Sequence, residues 1–103
     1  MADNRRTSAR HTVSIPAQLT AASEPTSCTV MNLSLGGALV SATARYAMGQ
    51  RVQIAFRVPT QEPAIEVGAT VRWADGTSTG LQFDGLRARD VWALNEYFKQ
   101  LAG

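Results

Sequence analysis

The sequence predicts a mainly β fold: six short strands forming a small barrel or sandwich, with one α-helix at the C-terminus. Three observations carry this. Apolar residues recur at every second position in several separate stretches. Glycine, proline and Asp-Gly breaks fall between those stretches. After Arg87 the apolar period lengthens to that of a helix.

The first strand runs from His11 onward, where Val13, Ile15, Ala17 and Leu19 alternate with Ser14, Pro16 and Gln18. Pro16 has no N–H to give to a ladder, so this strand belongs at an edge or a barrel seam. Thr26 to Met31 forms the second strand, Asn32 to Gly37 a turn, and Ala38 to Ala42 the third strand. Met48-Gly49-Gln50 makes the next break. Val52, Ile54, Phe56 and Val58 then alternate with Arg51, Gln53, Ala55 and Arg57, and Pro59 and Pro63 bracket a polar loop. The fifth strand has the cleanest two-residue period: Ile65, Val67, Ala69, Val71 and Trp73 on one face. That phase puts Phe56, Trp73 and Phe83 in the core. Asp75-Gly76 is a hairpin signal, and Gly80 to Phe83 forms the sixth strand. In the tail, Val91, Leu94, Phe98 and Leu101 make one helical stripe over 87–102, expected to pack on the barrel. Trp92 and Tyr97 fall off its centre.

A chain of 103 residues fits one domain, and 45% apolar with 17% charged residues is ordinary for a globular one. The expected layout is a flexible basic arm over 1–11 and a single domain over 12–103. Apolar runs are only a few residues long, so no membrane insertion is expected. The basic, polar start lacks the apolar core of a secretory signal, which points to the cytoplasm. Cys28 stands alone and reads as a small core residue. Charge is unevenly shared. Arg5, Arg6 and Arg10 against Asp3 account for the whole net +2, and the remainder carries seven basic and seven acidic residues. A protein that tracks a long polyanion spreads its basic residues over a face. Arginine concentrated in one place suits a compact anionic ligand better.

Two motifs stand out. Arg6-Thr7-Ser8-Ala9-Arg10, with Arg5 before it, could be no more than a solvated arm. Asn32-Leu33-Ser34-Leu35-Gly36-Gly37 could be no more than a tight turn. Taken together they say more. Arg-x-x-x-Arg before the first strand, then Asn-x-Ser-x-x-Gly between the second and third, resembles the PilZ domain family, whose members are receptors for cyclic di-GMP. The Gly80-Leu81-Gln82-Phe83 stretch and the C-terminal helix also sit where that family has them, so the resemblance covers nearly the whole chain.

The resemblance implies a six-stranded antiparallel β-barrel with a C-terminal helix, and a cyclic di-GMP site at Arg5, Arg6, Arg10, Asn32, Ser34, Gly36 and Gly37. The planar fork of an arginine matches guanine O6 and N7 bidentately, and it can also stack on the purine or take a phosphate oxygen. Arg6 and Arg10 are assigned those edges and the phosphates. The side-chain oxygen of Asn32 accepts from the opposite guanine edge. Ser34 donates to the ligand or holds the turn, and Gly37 lets ligand or arm approach the backbone. Arg5, directly before the motif, implies two stacked ligand molecules per chain. Ligand would draw the arm onto the barrel face near Asn32 to Gly37, and a separate downstream effector protein would read the new surface.

Other functions find less support. No metal-ligand spacing, phosphate loop or nucleophile elbow is present, so neither an enzyme nor a cofactor is expected. His11, the only histidine, reads as flanking ligand or solvent. A ligand-independent PilZ-like adaptor in a motility or pilus system is the main alternative. A single-stranded nucleic-acid-binding barrel is weaker, because its stacking aromatics would have to lie outside the core and the body is neutral; no DNA or RNA partner is expected.

Overall fold

The computed structural model describes residues 10–41, 46–75 and 77–102. Residues 1–9 of the predicted arm, with Asp3 and Arg5 to Ala9 among them, and Ala42 and Gly76, used in the sequence reading, lie outside the described residues. The elements run β1 (His11–Ala21), β2 (Glu24–Leu33), β3 (Gly37–Ser41), β4 (Arg51–Phe56), β5 (Ile65–Ala74), β6 (Ser78–Phe83) and α1 (Ala88–Ala102). Every paired neighbour is antiparallel, and the strands close into a barrel in the order β1-β2-β3-β6-β5-β4. Closure comes from β1 pairing with β4, Ala17 to Thr20 against Phe56 to Gln53. Pro16 stands just before those four residues, where its missing N–H removes nothing from the closing ladder.

Two strands are longer than their alternation suggested. β1 and β2 meet in a hairpin whose turn is Ala22-Ser23, both in the left-handed region at φ 51° and 71°. The strand twist demands that geometry of a two-residue turn. With neither Gly nor Asn present, no turn signal marked it. At its other end β2 continues through Asn32 and Leu33, so the Asn-x-Ser motif begins on a strand and only its second half forms the turn.

The alternating residues fill the interior. Leu19, Val30, Leu33, Val40, Ile54, Ile65, Ala69 and Val71 are fully buried, and Phe56 stacks with Phe83 at 6.5 Å between ring centroids. Each large aliphatic side chain taken out of water contributes ~1.5–3 kcal/mol. Cys28 lies in this interior, where burial pushes its thiol up to about 11. The unfolded thiol ionises nearer 9, so raising the pH from 9 towards 11 favours unfolding. At pH 8 only about one folded thiol in a thousand is thiolate. Maleimide labelling is therefore expected to be slow in the native protein and fast in guanidinium; rapid native labelling would show that the strand opens.

Helix α1 packs through Ala93 and Leu94, both fully buried, with Tyr97 and Phe98 partly covered. This corrects the predicted stripe: Val91 is half-buried, Leu101 is exposed, and the first-turn residue on the buried face is Asp90. The β4–β5 loop holds that turn. Gln61 Nε2 donates to Asp90 Oδ1 at 3.1 Å, and Thr60 Oγ1 donates to the carbonyl of Ala93 at 2.6 Å. Arg87 brings Nε to 3.5 Å from Asp90 Oδ2, an ion pair without hydrogen-bond geometry. A carboxylate in the first turn also favours the positive end of the helix dipole.

Candidate functional site

The ladder breaks step in three places, and each break leads to the same patch. One extra residue enters β1 between Thr12 and Ile15, one enters β2 between Val30 and Asn32, and one enters β5 between Val71 and Trp73. Such a bulge inverts which side of the sheet the following residues face. In β2 it brings Asn32 to the outer surface while Leu33 returns to the core. In β5 it turns Trp73 outward, 44% exposed, where strict alternation would have buried it. The core placement expected for Trp73 is therefore wrong, and the physical reason is the extra residue at Arg72.

These residues line a pocket of about 420 Å³ on the outer face of the barrel. Such a volume falls in the range of small-ligand sites, ~300–1,000 Å³. Arg10 enters from just before β1, Asn32 and Ser34 from the end of β2, and Gly36 and Gly37 from the turn into β3. Five of the seven sequence-predicted positions thus converge; Arg5 and Arg6 lie outside the described residues. The opposite wall, from β5 and β6, is Arg72, Trp73 and Gln82. Among the described residues, the lining holds two arginines and no carboxylate.

The turn is built from its own hydroxyl. Ser34 is buried, and its Oγ accepts from the N–H of Gly36 at 3.2 Å and of Gly37 at 3.1 Å while donating to the Gly37 carbonyl at 3.3 Å. The Ser34 N–H donates to the same carbonyl at 2.9 Å. Of the two roles open to Ser34, the structure shows it holding the turn. The Gly36 carbonyl then accepts from the Phe83 N–H at 2.8 Å, which ties the turn to β6. Gly37 pairs with Gln82, and a Cβ there would run into the backbone carbonyl of Leu81. Its missing side chain makes room for a neighbouring strand.

Trp73 has a partner of the same kind. It pairs with Gly80, and any Cβ at Gly80 would strike the indole. The ring therefore lies against the bare backbone of β6 and offers an aromatic surface to the pocket. The sequence did carry a signal for this, since a glycine inside a strand marks a bulge or a close approach. Arginine, indole and a primary amide supply a cation, a stacking face and a donor–acceptor pair, which together suit an anionic nucleotide. No group of three or more His, Cys, Asp or Glu side chains that could hold a metal ion occurs among the described residues.

The family model described as PilZ domain matches residues 4–100. No curated protein matches the chain. Among solved structures the fold is similar to that of the Bacillus subtilis inhibitor of motility, MotI (DgrA), with a TM-score of 0.80 and 25% identity over 95% of this chain and 52% of that one. It is similar to the PilZ domain of CeSA from a cellulose-synthesizing bacterium, with a TM-score of 0.69 and 19% identity over 90% and 98% of the two chains. It is also similar to PlzA of Borreliella burgdorferi, solved in complex with c-di-GMP, with a TM-score of 0.64 and 19% identity over 95% and 37%. The chain thus spans about half of MotI and a little over a third of PlzA.

Proposed function

The chain belongs to the PilZ domain family, and on that premise we propose that it is a receptor for cyclic di-GMP that passes its occupancy to a separate protein. One observation carries the reading beyond family membership: Arg10, Asn32, Arg72 and Trp73 converge on a pocket with no carboxylate among its described lining. In this reading Arg10, with Arg6 and Arg5, takes guanine O6 and N7 and the phosphates. Asn32 accepts from the N1–H or N2–H2 edge of a guanine. Trp73 stacks on a base, and Arg72 adds a second cation from the far wall. Ser34, Gly36 and Gly37 shape the turn beneath the ligand. The protein binds and signals and performs no catalysis. No described helix is long and apolar enough to cross a membrane, and we place the receptor in the cytoplasm.

The test is calorimetric titration with cyclic di-GMP, with GTP as control, on the wild type and a Trp73→Ala variant. Micromolar or tighter binding is expected. Base–aromatic stacking is worth ~1–3 kcal/mol, so Trp73→Ala should bind roughly 5- to 150-fold more weakly. Saturation at two ligands per chain is expected from Arg5, and saturation at one would remove that part. The second reading is a ligand-independent PilZ-like adaptor in a motility or pilus system, and the likeness to an inhibitor of motility supports its motility part alone. No binding by calorimetry or by a second method would move the function there.

A further inference from the structure

We propose that His11 is a positioning residue that carries ligand occupancy from Arg10 to helix α1. The inference rests on the receptor reading above. It begins from adjacency: successive side chains of an extended chain face opposite sides. Arg10 is exposed and lines the pocket, whereas His11, the first residue of β1, is half-buried. The His11 ring lies on the ring of Phe98 with 4.0 Å between centroids and 16° between planes. Phe98 belongs to α1, and its neighbour Tyr97 sits 6.2 Å away, ring to ring.

Two neighbouring residues therefore join two surfaces, Arg10 at the pocket and His11 at α1. The N-terminal half of α1 is already tied down by Thr60 and Gln61 from the β4–β5 loop. The stack on His11 acts on the other half, at Phe98. A ligand that engages the Arg10 guanidinium restricts the backbone at Arg10 and His11, which lengthens the time the imidazole spends on Phe98. The last turns of α1 then open less often. By linkage the effect is reciprocal, so a helix held by the stack favours ligand. The exposed face of the C-terminal half of α1, which carries Leu101, becomes the surface whose order reports occupancy.

The experiment is hydrogen exchange over residues 88–102, with and without cyclic di-GMP, on the whole chain. Calorimetry on the same samples reports binding. In the wild type, ligand is expected to slow exchange in the C-terminal half of α1 several-fold. His11→Ala should still bind, within about tenfold of the wild type, yet lose the ligand-induced slowing. His11→Phe, which keeps a flat ring, should restore it. Phe98→Leu keeps apolar bulk without a ring and should behave as His11→Ala does, which covers the case of a poorly folding alanine variant. Equal slowing in the wild type and His11→Ala overturns the proposal, as does wild-type binding without any change in α1. Failure of the wild type to bind ligand overturns the receptor reading instead, and this inference with it.

Discussion

Arg10→Ala is expected to lower the affinity for cyclic di-GMP about 100-fold or more while leaving the melting temperature nearly unchanged. Arg10 is exposed and sits before the first ladder residue, so its removal deletes no buried contact. Surface changes of this kind alter stability by less than ~0.5 kcal/mol. Its loss from the pocket is a different matter. A hydrogen bond to a charged group contributes ~1.5–3 kcal/mol, and a bidentate arginine–guanine pair discriminates by ~1–3 kcal/mol. Taking about 3 kcal/mol as a conservative total gives the hundredfold figure. Arg10→Lys separates charge from shape, because lysine keeps the charge and loses the planar fork. It should fall between the wild type and alanine. If Arg10→Ala bound within threefold of the wild type, Arg10 would not be a ligand contact, and the arm motif would have another purpose.

Gly37→Ala should unfold the protein at a temperature lower by roughly 10 °C or more, and it should do so by parting two strands. The Cβ it adds would run into the Leu81 carbonyl, a backbone atom that no rotamer change can move aside. Relief requires β3 and β6 to separate beside the ladder pair Gly37–Gln82. Overpacking of this kind costs ~1–3 kcal/mol, and a domain of this size loses ~4–8 °C per kcal/mol. Gly85→Ala is the comparison. Gly85 is exposed and nothing lies within 4 Å of its Cβ position, so it should melt close to the wild type. Equal melting of Gly37→Ala and the wild type would show that the two strands are looser than this packing implies.

Most of the barrel was legible because its interior obeys a period of two. Val52, Ile54 and Phe56, or Ile65, Val67, Ala69 and Val71, announce a buried face without any knowledge of their partners. The site was less legible because it is built where that period fails. Trp73 sits in phase with Val71 in the sequence and out of phase in the fold, since the residue that shifts it is an arginine like any other on an outer face. The turn at Ala22-Ser23 was silent for a related reason: it takes left-handed geometry without the residues that advertise it. The motif residues were readable through family resemblance, but their division of labour was not. Only the structure separates Ser34, which spends its hydroxyl on the turn, from Asn32, which leaves its amide on the pocket wall. On the helix, a charged residue inside an apolar stripe hid the buried face, because Asp90 reads as solvent-facing until Gln61 is found beside it.

The pairing of β3 with β6 also bears on the order in which the molecule is made. During synthesis β1, β2 and β3 emerge first, and β4 can close against β1 once Phe56 is out. The free side of β3 must wait until Ser78 to Gln82 have been added, because those residues are its partners. The pocket straddles that last seam, with Gly37 and Leu39 on one side and Gly80 and Gln82 on the other. A nascent chain therefore has no complete pocket until the barrel is finished. Ligand added to a translating or refolding sample would accumulate only on completed molecules and would hold them against reopening.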